Sequence, residues 1–175
     1  MSITTKRGDE GMTDLLFGGK LSKIDPQVEA LGAVDELNAM MGFARLMMDG
    51  ESVRVADRIQ SWLVTLMGEL AMPAGKNDAY DQAGFDRIGS GQIEEIEQWS
   101  LDFEGGELFR GWLRPGADGG EVASRLHLAR TVARRAERRV WEVTDEVASG
   151  DVRIFLNRLS DLLWLMARSA EDQNA

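Results

Sequence analysis

Arginine is concentrated in one short stretch of this sequence. Residues 125–139 read RLHLARTVARRAERR, with six arginines and a single glutamate. On a helix that turns about 100° per residue, Arg130, Arg134 and Arg138 form one row at i, i+4 and i+8. A guanidinium is planar and meets the oxygens of a phosphate or carboxylate two at a time. Like charges at this spacing destabilise a helix by roughly 0.2–0.5 kcal/mol per pair, and a bound polyanion would offset that repulsion. The row is therefore typical of a polyanion-binding site.

The alternative is a solvated helix face whose arginines pair with the nearby carboxylates Glu121, Glu137 and Glu142. An apolar stripe runs beside the arginine row and consists of Leu126, Ala129, Ala133, Ala136 and Val140. This stripe predicts that the arginine row lies at the edge of a packed core, where it is only partly solvated. The unequal numbers of arginine and glutamate favour binding over pairing, although the pattern alone allows both.

Polar residues also interrupt two otherwise apolar helical segments. In the first they are Asp35, Asn38, Gly42 and Arg45, and in the segment LNRLSDLLWL they are Asn157, Arg158, Ser160 and Asp161. Breaking a buried ion pair costs about 3–5 kcal/mol, so a buried Asp35 would need an arginine of the 125–139 stretch as its partner. These polar groups indicate either a structural network that fixes helix register or a ligand site between helices. The pattern does not choose between them.

Residues 1–25 form a Gly-, Thr- and Lys-rich arm without helical or strand periodicity. The residue types in it that commonly contact phosphate are Thr4, Thr5, Lys6, Arg7, Gly8, Gly11, Thr13, Gly18, Gly19, Lys20, Ser22 and Lys23. The arm is not a Walker A loop, because Asp14 stands where its first glycine would be and Leu21 replaces its Ser or Thr. A ligand-ordered arm and a flexible tail both fit this composition.

The composition excludes several classes of site. The 175 residues include no cysteine and one histidine, so thiolate nucleophiles and multi-histidine zinc sites are excluded, and we expect His127 to be structural. A net charge of −10 argues against general nucleic-acid binding. No apolar run approaches the length of a membrane span, and the N-terminal residues lack a hydrophobic signal region. We therefore expect one domain, 1–175, in a cytoplasmic protein with no membrane or nucleic-acid partner.

Apolar periodicity predicts five helices, over residues 26–48, 52–72, 91–103, 122–147 and 151–170. No alternating pattern is long enough to predict a sheet. The expected fold class is an all-α up-and-down bundle. The last helix carries Trp164 and Leu165 outside its main apolar face, which indicates a subunit interface.

Four segments together resemble the PduO-type ATP:cob(I)alamin adenosyltransferases. They are TKRGDEGMTDLLFGGKLSK, VEALGAVDELNAMMG, LHLARTVARRAERRV and FLNRLSDLLWLMAR, in the family's order over nearly the whole chain. The resemblance implies a homotrimer of five-helix subunits with active sites at the subunit interfaces. It also implies transfer of the 5′-deoxyadenosyl group of ATP to the cobalt of cob(I)alamin, which forms adenosylcobalamin and triphosphate.

The resemblance also implies roles for individual residues. It assigns ATP binding to Thr5, Lys6, Arg7, Gly8, Thr13, Asp14, Lys23, Arg134, Arg135, Glu137, Arg138 and Asn157. Asp35 and Arg130 match an intersubunit ion pair that shapes the place where cobalt meets the ribose. Trp112, three positions before Pro115, occupies the place of an aromatic residue that excludes the lower cobalt ligand. Arg114 replaces the usual leucine, and the stretch from Pro115 to His127 is about two residues longer than is common in the family.

The implied ligands are ATP, Mg²⁺ and cobalamin as a substrate, and no protein ligand set for a metal can be read from the sequence. A cob(II)alamin reductase or an adenosylcobalamin-dependent enzyme is an implied partner. Because the loop around Trp112 is altered, a noncatalytic ATP- or corrinoid-binding or delivery protein of the same fold is the alternative function. A structural bundle with no ligand is a third hypothesis.

Overall fold

The structure of the protein, a computed structural model, describes residues 4, 6–104, 114–115 and 120–172. Within these residues the chain forms two short strands and six helices. In chain order they are β1 (Met12–Asp14), β2 (Lys20–Ser22), α1 (Pro26–Arg45), α2 (Gly50–Leu70), α3 (Asn77–Gln82), α4 (Ser90–Glu104), α5 (Glu121–Val140) and α6 (Gly150–Asp172). None of these helices is both long and apolar enough to cross a membrane.

The four longest helices and α4 build one apolar core. Helix α1 packs against α2 and α5, and α6 packs against α5 and α4. Side chains with no exposed surface include Leu37, Met41, Ile59, Leu63, Ala133, Phe155 and Leu159. Because apolar residues recur at helical spacing on each of these helices, each one presents a stripe to the core. The structure confirms the predicted helical fold class.

Local sequence fixes where α1 begins, and a long-range contact joins that point to the end of α2. Asp25 precedes α1 as its N-cap, and its Oδ1 accepts a hydrogen bond from the Gln27 backbone N–H at 2.8 Å. Pro26 occupies the first turn, where its missing N–H has no intrahelical partner. The Gln27 side chain also donates to the carbonyl oxygens of Leu70 and Met72, both at 2.8 Å. The start of α1 is therefore joined to the end of α2, at the end of the bundle that carries the arm.

The structure corrects the predicted elements in four places. Helix α5 ends at Val140 and α1 at Arg45, so the predicted ends at 147 and 48 are wrong. The stretch between the second and third predicted helices contains the short helix α3, and the arm contains the antiparallel pair β1 and β2. The predicted spans of α2, α4 and α6 are confirmed to within two residues.

Candidate functional site

The arm is a β-hairpin fixed to the end of α2. Asp14 of β1 pairs with Lys20 of β2 in the strand register. The turn passes through Gly18 and Gly19 at φ of 84° and 101°, values that favour glycine. The backbone N–H of Leu16 donates to the carbonyl oxygen of Ala71 at 2.9 Å. The hairpin is thus held against the bundle by main-chain contact as well as by side chains.

A basic cleft of about 280 Å³ lies in this arm, and its lining residues are Arg7, Gly8, Met12, Thr13, Asp14, Lys20 and Lys23. Three cations line it against one carboxylate. Asp14 lies 3.6 Å from the Arg7 guanidinium and 4.0 Å from Lys20 Nζ, so its charge is offset by both. A Cβ on Gly8 would lie 2.9 Å from Lys23 Nζ, which shows how closely the backbone approaches this ammonium. Five residues predicted to bind ATP meet here: Arg7, Gly8, Thr13, Asp14 and Lys23.

The structure adds Lys20 to the cleft, a residue to which the family resemblance assigns no role. The signal that identifies it is the strand register, which places Lys20 opposite Asp14. A sequence without recognised strand periodicity does not provide that register. Lys6, by contrast, is exposed at φ 59° and does not line the cleft.

The arginines of α5 divide into a paired set and an unpaired row. Arg125 pairs with Glu121, Arg135 with Glu36, and Arg139 with Glu29 and Glu142. Arg130, Arg134 and Arg138 form no ion pair with any residue that the structure describes. The solvated-face alternative is therefore correct for the flanking arginines, with Glu121 and Glu142 as partners. It does not account for the i, i+4, i+8 row.

A hydrogen-bond network joins this row to α6. Arg134 Nη1 donates to Ser160 Oγ at 3.4 Å, and Ser160 Oγ donates to the Asn157 carbonyl oxygen at 2.9 Å. Asn157 Nδ2 donates to Glu137 Oε1 at 3.2 Å. Three predicted ATP-binding residues, Arg134, Glu137 and Asn157, thus lie together between α5 and α6. Arg138, which follows Glu137 on α5, is exposed.

Asp35 does not lie where the polar stripe of α1 predicted. It is exposed, and no ion pair joins it to Arg130 within the described part of the chain. Within one chain Asp35 is exposed, because α1 turns Val34 and Leu37 to the core and Asp35 to the outside. The intersubunit pair that the resemblance implies stays a prediction.

The carboxylates of α1 that do pair with α5 are Glu29, with Arg139, and Glu36, with Arg135. The hydrogen bond that Glu36 accepts from the Arg135 guanidinium lowers the pKa of Glu36. The Nε atom of Arg130 is buried and has no hydrogen-bond partner among the described residues.

The remaining predicted residues fall into two groups. Thr5 and Trp112, predicted to bind ATP and cobalamin, lie outside the described residues. His127 is buried in α5, where its Nε2 lies 3.3 Å from Glu171 Oε1. The described ranges contain no group of three or more His, Asp or Glu side chains that could hold a metal ion.

The geometry defines a helical bundle with a basic arm cleft and an unpaired arginine row, an arrangement suited to an anionic ligand. A family model described as cobalamin adenosyltransferase matches residues 3–170, and the chain belongs to this family.

Several corrinoid adenosyltransferases are similar to this chain in sequence. A corrinoid adenosyltransferase PduO from Citrobacter freundii is 39% identical over 179 residues, which cover 100% of this chain and 51% of that protein. The chain thus spans about half the length of the PduO relatives from Citrobacter freundii and Salmonella typhimurium. The human corrinoid adenosyltransferase MMAB is 35% identical over 176 residues, which cover 96% of this chain and 68% of that protein.

Solved structures share the fold. A variant of a PduO-type ATP:corrinoid adenosyltransferase from Lactobacillus reuteri, complexed with cobalamin and ATP, superposes with a TM-score of 0.84. It is 32% identical, and the match covers 99% of this chain and 97% of that chain. A second variant from the same organism, complexed with ATP, gives a TM-score of 0.83 at 32% identity, with 97% and 94% covered.

Proposed function

We propose that this chain transfers the 5′-deoxyadenosyl group of ATP to the cobalt of cob(I)alamin and releases triphosphate. The observation that carries the proposal is the row of Arg130, Arg134 and Arg138, which has no ion-pair partner in the described chain. Carboxylates are abundant in a protein with a net charge of −10, and the flanking arginines form ion pairs with them. A row that stays unpaired among so many acids is best explained by an anionic ligand.

The two basic regions suit different parts of this reaction. The arm cleft offers Arg7, Lys20 and Lys23 to phosphate oxygens, and Gly8 permits close approach of the backbone. The α5 row offers guanidinium groups to the charge that develops on the departing triphosphate. We expect Mg²⁺ to be held by phosphate oxygens and water, as is usual for nucleotide-bound magnesium.

The chemistry does not require a protein nucleophile. Co(I) in the reduced corrinoid attacks C5′ of the ribose, and the carbon–oxygen bond to the triphosphate breaks, so the corrinoid substrate carries the reactive electron pair. The protein has to align the two substrates and stabilise the leaving group. The absence of cysteine from the chain is compatible with this division of work.

A homotrimer with its sites between subunits belongs to the same proposal. Asp35 is exposed on α1, and Arg130 on α5 keeps a buried Nε without a partner in the described chain. A second copy of the chain would bring an Asp35 to each Arg130 and would satisfy both groups. The cytoplasmic location and the reductase or adenosylcobalamin-dependent partner stay predictions.

The test is a spectral assay with ATP, Mg²⁺ and chemically reduced cobalamin under strictly anaerobic conditions. We expect the absorption spectrum of adenosylcobalamin to appear with the unaltered chain. Bound ATP without any spectral change would instead support the noncatalytic delivery function, and a chain that binds no ATP would support the structural bundle.

Arg134→Ala locates the proposed phosphate contact in this assay. Arg134 is exposed and its described hydrogen bond is a long one to Ser160, so the fold should survive the change. A charge-assisted hydrogen bond contributes about 1.5–3 kcal/mol, which predicts a loss of roughly 10- to 150-fold in kcat/KM. Arg54→Ala removes a similarly exposed arginine of α2 and should leave transfer unchanged. Full activity in Arg134→Ala would refute the assigned phosphate contact.

A further inference from the structure

Arg87 fixes a helix that is too short to be stable alone. Helix α3 has six residues, whereas isolated helices shorter than about 12–15 residues are marginal in water. Arg87 follows α3 in the chain and its side chain returns to it, with Nε donating to Asp81 Oδ1 at 2.9 Å and Nη2 to Asn77 Oδ1 at 3.1 Å. The guanidinium also pairs with the buried Glu69 of α2. Because its planar fork makes these contacts together, Arg87 joins α3 to the end of α2.

The same guanidinium covers the ring of Tyr80. Its Cζ atom lies 4.7 Å from the ring centroid, and Tyr80 exposes 1% of its surface. The hydroxyl end of the phenol lies against the backbone of α2, since a Cβ on Gly68 would lie 2.8 Å from Tyr80 Oη. The hydroxyl donates to the Asp86 carbonyl oxygen at 3.3 Å. The position of the Tyr80 ring is therefore set by Arg87 and by α2.

Tyr80 in turn supports the arm. The ring of Phe17, in the turn between β1 and β2, meets the Tyr80 ring edge-to-face. The adjacent residue Leu16 makes the main-chain hydrogen bond to Ala71 that fixes the hairpin to α2. The described lining of the arm cleft includes neither Arg87 nor Tyr80, so an effect of Arg87 on the cleft passes through this ring contact.

We propose that Arg87 is a positioning residue for ATP binding: it fixes the Tyr80 ring on which Phe17 rests, and so holds the arm cleft in place without touching the ligand. The inference rests on the proposed function, since it takes the arm cleft as a binding site for the phosphates of ATP. Apparent affinity falls with the fraction of chains in which the hairpin is docked. Loss of Arg87 should therefore raise the KM for ATP more than it lowers kcat.

Amide hydrogen exchange of the full-length chain measures the docking of the arm. The Leu16 N–H is bonded to Ala71 only while the hairpin lies against α2, so its exchange rate reports how often the hairpin leaves. We expect Arg87→Gln to speed this exchange by about 2- to 30-fold, the range that one cation–π contact contributes. The KM for ATP should rise by no more than the same factor, and kcat should fall by less.

Arg58→Gln is the matched control. Arg58 also stacks on an aromatic ring, that of Trp62 at 5.0 Å, and it pairs with Glu95. It lies about three turns before Ala71 on α2, so its loss removes a similar contact at a distance from the arm. The exchange rate of Leu16 and the KM for ATP should stay the same in this variant.

A double-mutant cycle with Phe17→Ala tests the route of the effect. If Arg87 acts through the ring contact, Arg87→Gln should speed Leu16 exchange little further in a chain that already lacks the Phe17 ring. Additive effects of the two changes would overturn the proposal. So would unchanged exchange in Arg87→Gln, or an equal acceleration in Arg58→Gln, which would show a general loss of stability.

The outcomes also separate this role from the proposed function. Exchange at Leu16 requires neither ATP nor corrinoid, whereas the spectral assay of the unaltered chain decides the proposed function. Adenosyl transfer together with unchanged exchange in Arg87→Gln would uphold the function and overturn the positioning role. An unaltered chain that binds no ATP would overturn both, because the arm would then have no ATP to receive.

Discussion

Glu69 is a buried carboxylate next to the point where the arm joins the bundle. It exposes 2% of its surface, and its Oε1 accepts a hydrogen bond from the Ile88 backbone N–H at 2.8 Å. Burial raises the pKa of Glu69 to about 7, against the opposing effects of that hydrogen bond and of Arg87 at 3.6 Å. Asp151 raises the pKa of Glu69 by a smaller amount. The pKa of the nearby Tyr80 is also raised, by burial first and then by Glu69. The ionised form of Glu69 is therefore disfavoured in the folded chain.

This shift predicts a pH-dependent stability with a defined sign. A folded-state pKa near 7, above the ordinary value of 4.5, means that Glu69 contributes full stability below 4.5 and loses it as the pH rises through 7. Between pH 5 and 8 the loss amounts to roughly 2–3 kcal/mol. Glu69→Gln cannot ionise and keeps an oxygen for Ile88, so its free energy of unfolding should depend less on pH. Urea denaturation at pH 5, 6, 7 and 8 measures the difference.

Glu36→Gln is the control for this experiment. The pKa of Glu36 is lowered by Arg135, so this carboxylate stays ionised from pH 5 to 8 and its removal should shift the stability curve without changing its slope. Parallel curves for Glu69→Gln and the unaltered chain would contradict the assignment to Glu69.

At the scale of elements, the arm hairpin depends on an aromatic contact with the loop around α3. The Phe17 ring lies 6.2 Å from the Tyr80 ring and 6.1 Å from the Phe85 ring, both edge-to-face. Phe17 adopts a φ of 57°, a backbone conformation that a bulky residue rarely takes without support. The aromatic cluster and the Leu16–Ala71 hydrogen bond together supply that support.

Phe17→Ala should loosen the hairpin without unfolding the bundle. Each aromatic pair contributes about 0.5–1.5 kcal/mol, so local opening of β1 and β2 should become about 10-fold more frequent. Amide hydrogen exchange at Thr13 and Leu21 measures this opening, and the ATP dissociation constant should rise in parallel because the cleft lies in the same hairpin. Leu101→Ala is the control, since Leu101 is an exposed apolar residue of α4 away from the hairpin. Unchanged exchange in Phe17→Ala would show that the main-chain contact alone holds the arm.

The elements differ in how far the sequence could predict them. Helix α1 begins where Asp25 and Pro26 predict, because capping is a local interaction. The apolar spacing of α5 continues through Val143 and Val147, which is why the sequence predicts a longer helix. In the structure both valines are buried, but they lie in the turn that follows the helix. Nothing local distinguishes those two arrangements.

The candidate site shows the same division. Helical spacing is enough to predict the arginine row of α5. It does not predict whether Asp35 lies on the buried or the exposed side of α1. Helix α1 carries apolar residues around much of its circumference, including the exposed Phe43 and the part-buried Leu31 and Met40, so several faces could have been the buried one. The place of Lys20 depends on strand register, and the contact of Glu137 with Asn157 depends on how α5 and α6 approach each other. These are tertiary facts that no single segment encodes.

At the scale of the whole molecule, a single chain leaves the proposed reaction centre incomplete. Asp35 on α1 and Arg130 on α5 are unpaired within the described residues, although α1 and α5 pack against each other. Helices α1 and α5 also expose Phe43 and Leu128. A rotationally symmetric trimer would place one chain's α1 against the next chain's α5 three times over. Each proposed site would then need residues from two subunits.

Mixed oligomers test this arrangement directly. Asp35→Ala and Arg130→Ala should each lose most adenosyl transfer, and Asp35→Asn should slow transfer more than it weakens ATP binding. If the two alanine variants are co-refolded, random assembly puts an intact Asp35 opposite an intact Arg130 at about a quarter of the interfaces. Activity should therefore return to about a quarter of that of the unaltered chain, with light scattering showing three chains per particle. If both residues act within one chain, every site in the mixture still lacks one of them and no activity returns, which would refute the intersubunit site.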